Sequence, residues 1–163
     1  DLAGAEALFP TSDYEKLFAH ARAEGIPFTI HAGEAAGPES IRQAVDYGTA
    51  RIGHGVNCIH DKNLMNIIAE KGITLELCPT SNLNTKIVND IKDYPIDKII
   101  NNKIKATINT DNMTVSGTDE ASEMKLICDT FGYDGNMRRI FVNNAIDAAF
   151  LSDEMKEKLR GNL

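Results

Sequence analysis

Four short apolar runs, each following a segment of helical spacing and each ending on a polar or turn-forming residue, constrain this chain more than any other feature. Ile26-Pro27-Phe28-Thr29-Ile30 runs into His31, and Ala50-Arg51-Ile52-Gly53 runs into His54. Ile73-Thr74-Leu75-Glu76-Leu77-Cys78 alternates as a strand does and breaks at Pro79, and Ile104 to Asn109 ends at Thr110-Asp111. The intervening segments carry helix signals. Thr11-Ser12-Asp13 precedes Leu17, Phe18 and Ala21, with a stop at Gly25. Pro38-Glu39-Ser40 opens a run of Ile41, Ala44 and Val45 that stops at Gly48, and Asp61 caps a run of Leu64, Ile67 and Ile68 that stops at Gly72. Ile96, Ile99 and Ile100 mark a fourth helix. Thr80 to Thr85 reads as a polar loop. From Asp119 onward the spacing is helical, broken around Gly132–Gly135 and near Ser152.

Strands alternating with helices through short connections imply a parallel sheet covered by helices. A doubly wound sheet would close with four or five strands in 163 residues, whereas a (β/α)8 barrel needs about 250 residues and eight strands. No glycine-rich phosphate fingerprint is present, which weighs against a doubly wound nucleotide-binding sheet. Polar residues at the C-terminal ends of several strands are the signature of a barrel's chemistry. The expected fold is therefore α/β, the C-terminal half of a (β/α)8 barrel. It would have four full strands plus a stub at Leu2-Ala3-Gly4, so that residues 1–163 are a single partial domain. The start at Asp1, without an initiator methionine, leads to the expectation that residues precede it.

Composition narrows the function classes. The net charge of −7 and the absence of a basic run argue against a nucleic-acid partner. No apolar stretch approaches the ~20 residues needed to span a bilayer, and no signal peptide is visible in the chain as given. Three cysteines without metal-type spacing fit reduced thiols and a cytoplasmic location.

The strand-end residues carry the chemistry. His31 has Ala32-Gly33 beside it and Glu34 three residues on, so a neutral imidazole ligand and a carboxyl group that can move protons lie close together. The plainer reading of Glu34 is an acid near a helix N-terminus. His54 lies between two glycines, which permit close backbone approach; the plainer reading is a tight turn. Asp111 is either a strand-terminal turn residue or a hard carboxylate ligand suited to zinc in a mixed His/Asp site. His20 and His60 read as ordinary surface residues. Cys78-Pro79 is not the Pro-Cys-x-x-Cys element of the His/Cys/Cys zinc deaminases, and the Ser81-Asn82 segment is a weak candidate for a pocket lining.

Four segments, in this order, resemble adenosine deaminases, bacterial forms in particular: His31-Ala32-Gly33-Glu34, Arg51-Ile52-Gly53-His54-Gly55, Cys78-Pro79-Thr80-Ser81-Asn82 and Asn109-Thr110-Asp111-Asn112. Asp1-Leu2-Ala3-Gly4-Ala5-Glu6 is similar to the segment just upstream in that family. The resemblance implies a zinc-dependent barrel hydrolase that converts adenosine and deoxyadenosine to inosine products. It implies His31 and Asp111 as zinc ligands and Glu34 as the proton donor to purine N1. It further implies that His54 orients or deprotonates the attacking water, and that the Gly4 backbone meets the purine edge. Where many members carry a second aspartate against purine N7, this chain has Asn112, whose amide can donate there. The family's His-x-His ligand pair belongs to the first strand, and no His-x-His occurs here. The expected partners are therefore a purine nucleoside and the missing N-terminal half of the barrel, and the fragment alone is expected to be inactive, with an exposed sheet edge and apolar core. The alternatives are a related 6-aminopurine (adenine-type) deaminase and a non-catalytic half-barrel used for binding or assembly.

Overall fold

The computed structural model describes residues 1–162. Its centre is a four-stranded parallel sheet in sequential order, β1 (Thr29–Ala32), β2 (Arg51–His54), β3 (Thr74–Leu77) and β4 (Lys105–Ile108). Helices α1 (Glu15–Ala23), α2 (Pro38–Asp46), α3 (Lys62–Lys71), α4 (Pro79–Asn84) and α5 (Ile96–Asn101) precede or connect the strands. After β4 come α6 (Met113–Ser116), α7 (Glu120–Phe131), α8 (Gly135–Ala148) and α9 (Asp153–Arg160). Leu2 bridges Ile30 in parallel, its N–H donating to Thr29 O and its carbonyl accepting from His31 N–H. The expected stub is thus a single parallel bridge beside β1.

Register explains why the sheet holds. Ile30, Ile52, Leu75 and Ala106 form one row across the four strands, all fully buried. That row packs with Ile41 and Ala44 of α2, Leu64, Met65 and Ile68 of α3, and Ile96 and Ile99 of α5. The flanking rows, Thr29–Arg51–Thr74–Lys105 and His31–Gly53–Glu76–Thr107, have opposite side-chain direction because strand residues alternate faces. Parallel sheets covered on both faces read as continuous apolar runs; here the second face is polar. Arg51 pairs with Glu76 at 2.8 Å, Thr29 donates to Glu76 at 2.8 Å, and the Arg51 guanidinium lies 3.9 Å from the centre of the Phe150 ring. Sequential parallel strands, a helix layer on one side only and a polar opposite face are the geometry of half a barrel whose lumen holds polar groups. The expectation of an exposed apolar core is corrected: the apolar row faces the helices, and the opposite face of the sheet is polar. At β4, the Asn144 amide of α8 donates to Ala106 O at 2.9 Å.

Helix boundaries follow their chemistry. The Asp61 carboxylate accepts from Leu64 N–H at 3.0 Å, Asp119 from Ser122 N–H and Asp134 from Asn136 and Met137 N–H, each capping the helix that follows. Two segments differ from the sequence reading. Thr80 to Thr85 is not a loop: most of it lies in α4, which Pro79 opens at the first helical position. Met113–Ser116 forms the short α6, capped by the Asn112 side chain.

All three cysteines are free and buried, and burial pushes the Cys58 thiol up to about 12. At pH 8 the thiolate fraction at Cys58 is then on the order of one in ten thousand. Native protein treated with a thiol-reactive dye at pH 8 is expected to leave Cys58 unlabelled, with rapid labelling after addition of denaturant, as read by mass spectrometry.

Candidate active site

His31, Glu34, His54 and Asp111 all lie at the C-terminal ends of strands or just beyond them, where barrel enzymes build their sites. His31 is on β1, His54 closes β2, and Asp111 follows β4. The His31 and His54 rings meet edge to face with centres 5.1 Å apart. His54 Nε2 lies 3.6 Å from Glu34 Oε2. His31 and Asp111 line one cleft of about 280 Å³, together with Glu76, Cys78 and Asn109. His31 also borders a neighbouring cavity of about 230 Å³ lined by Leu2, Gly4, Glu6, Phe9 and Tyr14. The sequence-predicted residues therefore come together, with Gly4 on the wall of the adjoining cavity. Asn112 sits one residue past Asp111, and its Oδ1 accepts from Val115 N–H at 3.0 Å, which leaves its amide hydrogens unassigned. His20 lies on α1 and His60 at the end of the turn after β2, both exposed.

The backbone at these positions is strained. His54 and Asp111 both have positive φ, 60° and 55°, a conformation costing non-glycine residues roughly 1–3 kcal/mol and concentrated at functional sites. Glycines on each side of His54 serve two purposes. A Cβ on Gly53 would sit 2.8 Å from His31 Nδ1, so the imidazole packs directly on the backbone of β2. Gly55 has a φ of 67°, and a Cβ there would meet Leu75 at 2.8 Å.

Each candidate ligand has a partner that aims it. Asp1 holds His31 Nδ1 at 3.0–3.1 Å. A carboxylate only accepts, so the ring proton sits on Nδ1 and the Nε2 lone pair is left for a metal, the usual arrangement of a carboxylate-oriented ligand histidine. Asp111 Oδ2 accepts from the Ser81 hydroxyl at 2.6 Å. The donor types and their orienting contacts fit zinc. Yet no group of three or more His, Cys, Asp or Glu side chains positioned to hold a metal exists among the described residues. Burial pushes the His54 imidazole below its ordinary value, outweighing the opposite pull of Glu34, so the ring is neutral near pH 7.

Sequence reasoning missed the residues that hold this set in place. The buried Glu6 carboxylate accepts from four successive backbone N–H groups, those of Gly33, Glu34, Ala35 and Ala36, at 2.6 to 3.1 Å, and from the Ser40 hydroxyl. Asn57 donates to the carbonyls of Glu34 and Ala36 at 3.0 and 2.9 Å. The loop bearing Glu34 is thus clamped through its amides by one residue and through its carbonyls by another. Asn82, a weak candidate from the sequence, sets its Nδ2 3.1 Å from His54 Nδ1 and donates to Glu34 Oε1 at 3.4 Å. These residues leave no local signal, because their partners lie 21 to 48 positions away in the chain.

A sequence profile described as adenosine deaminase matches residues 1–163. The chain belongs to the adenosine deaminase family, of barrel fold and amidohydrolase kinship. It is 45% identical to an adenosine deaminase of Haemophilus ducreyi over all of its own length and 47% of that protein. Among solved structures it is similar to an adenine deaminase from Arthrobacter aurescens, with TM-score 0.92 and 25% identity over 97% of this chain and 49% of that one. It is also similar to an amidohydrolase from Burkholderia ambifaria with bound Zn, with TM-score 0.89 and 26% identity over 98% and 45%. The chain spans about half the length of the relatives it matches.

Two substitutions test the clamps. Glu6→Ala leaves the four loop amides without their carboxylate and is expected to lower stability by ~2–4 kcal/mol in urea unfolding, since each orphaned buried donor costs about 1–3 kcal/mol and water reaches some of these. Gly53→Ala inserts a methyl under the His31 ring; zinc affinity, measured with a competing chelator, is expected to fall by about 10–100-fold in the complete protein, with little change in Tm.

Proposed function

We propose that these residues are the C-terminal half of one barrel domain in a cytoplasmic, zinc-dependent enzyme that hydrolyses adenosine and deoxyadenosine to inosine and deoxyinosine. The observation that carries the reading is the convergence of His31, Glu34, His54 and Asp111 at one end of the sheet, with His31 Nε2 left free by Asp1. The family match and the zinc named for the Burkholderia ambifaria structure support it. Three free, buried cysteines support a reducing compartment.

His31 and Asp111 would hold the metal together with ligands from the other half of the barrel, because a catalytic zinc takes at least three protein ligands. When bound, zinc supplies Lewis acidity that brings the pKa of water from 15.7 to about 7. Glu34 delivers a proton to purine N1, which draws electrons from C6, so that attack there does not build an anion on the ring. His54, neutral and buried beside Glu34, orients the attacking water. The Gly4 backbone meets the purine edge from the wall of the adjoining cavity, and the Asn112 amide donates to N7. Addition of water at C6 and departure of ammonia complete the reaction.

The likeness to an adenine deaminase favours a second reading, in which a related 6-aminopurine is the substrate. The two separate in one experiment on the complete polypeptide: turnover of adenosine and of adenine, with zinc content measured in parallel. Adenosine is the expected substrate, and Glu34→Gln is expected to lose about 10²–10⁴-fold in kcat. The isolated 163-residue chain is expected to show no turnover. Near-normal turnover by Glu34→Gln, or preference for adenine, overturns the respective part of the proposal.

A further inference from the structure

Asn82 and Tyr94 are buried, at 0% and 2% exposure, and neither belongs to the reacting set described above. We propose that Asn82, held in a single orientation by Tyr94, is a positioning residue that fixes His54 as its Nε2–H tautomer and points that proton toward Glu34. The tautomer follows from hydrogen-bond geometry; its catalytic consequence rests on the reading under Proposed function.

An asparagine amide can face either way, and its direction is set by the groups around it. Burial holds the Tyr94 phenol well above its ordinary pKa, so it keeps its proton. The single phenol proton is directed at Asn82 Oδ1, 3.0 Å away. Asn82 therefore turns its Nδ2 hydrogens the other way. One meets His54 Nδ1 at 3.1 Å and the other lies toward Glu34 Oε1 at 3.4 Å. A ring nitrogen that receives an N–H must present a lone pair, so the imidazole proton sits on Nε2, the nitrogen facing Glu34 Oε2 at 3.6 Å. The reverse orientation of Asn82 would set its oxygen against the Glu34 carboxylate, two acceptors facing each other with no proton between them. The main chain fixes the donor as well: Ile87 N–H and Val88 N–H both donate to Asn82 O, so the residue is anchored at both ends.

The consequence is a division of labour. An imidazole with its proton on Nε2 donates at that atom and cannot take a proton there. His54 then orients the attacking water as a donor, and Glu34 is the group left to carry protons. The same Asn82 amide contacts Glu34, so one side chain sets the proton position on one partner and the carboxyl orientation of the other.

The test uses the complete, zinc-loaded polypeptide with ¹⁵N-labelled histidine, and the ring nitrogens are read by NMR alongside adenosine kinetics. In the wild type, His54 is expected to show a protonated Nε2 and an unprotonated Nδ1. Asn82→Asp replaces a donor with an acceptor, so the proton is expected to move to Nδ1, with kcat falling about 100-fold and KM changing less than about threefold. Tyr94→Phe keeps the volume and removes only the hydroxyl; it is expected to give mixed tautomers and a loss of about tenfold in kcat, with an unchanged circular dichroism spectrum. Because Tyr94→Phe is nearly isosteric, it keeps the proposal testable if Asn82→Asp fails to fold. An Nδ1–H tautomer in the wild type, or wild-type ring signals and kcat in both variants, overturns the proposal. If the wild type has no adenosine turnover, the reading of the reaction fails, while the NMR signals still decide whether Asn82 sets the tautomer.

Discussion

Parallel pairing puts Ile30, Ile52, Leu75 and Ala106 in one row, and burying that row against α2, α3 and α5 fixes the direction of every neighbouring side chain. With strand periodicity of two, a one-residue slip in any strand would bring a polar side chain into the helix layer and an apolar one to the open face. At roughly 25 cal/mol per Å² of apolar surface, four buried side chains resist such a slip by several kcal/mol. The register that satisfies the core therefore also delivers His31 and Glu76 to the opposite face and brings β2 to its end at His54. The site needs no separate device to gather its residues; the hydrophobic row does it.

Gathering is not the same as aiming, and the second task falls to buried polar groups. Two non-glycine residues with positive φ and a loop with four successive N–H groups pointing one way would be costly without compensation. Glu6 and Asn57 supply it for the loop, Asn82 for His54 and Ser81 for Asp111. In a low-dielectric interior such networks are worth most when every member is satisfied, and they specify one arrangement for the same reason. Within the sheet, Glu76 plays the corresponding part, ion-paired with Arg51 and accepting from the Thr29 hydroxyl.

This division explains what could be read in the amino-acid order. The strands and most helices were visible because periodicity and caps are local: Asp61, Asp119 and the glycine stops act within a few residues of the elements they bound. His31, Glu34, His54 and Asp111 were visible because strand ends are local features too. The α4 helix was not, because its polar residues face the site and give no apolar stripe; Ser81 bonds Asp111 and Asn82 bonds His54. Glu6 carries no local mark, since its four amide partners lie 27 to 30 positions away and no spacing rule reaches that far. The polar open face escaped for a different reason: its alternation was present in Thr74 and Glu76, but a parallel sheet is ordinarily expected to be apolar on both sides.

The remaining asymmetry concerns the metal. On the proposed reading, a metal would meet two donors here, each already oriented by a contact within the chain: His31 by Asp1 and Asp111 by Ser81. Such contacts cost nothing further when a metal arrives, because the side chains need not be reorganised at that moment. A two-donor arrangement nonetheless leaves most of a metal's coordination to water, so affinity must rise when additional protein ligands are held close by a second half of the barrel. On that reading, metal binding and docking of the two halves would be thermodynamically linked, since each favours the assembled state. The polar face between them supports that linkage, because a lumen lined by His31, Glu76 and Asn109 offers little apolar surface to drive docking on its own. In this view a half-barrel with well-ordered donors is a preorganised surface whose last stabilising contribution is the ion shared across it.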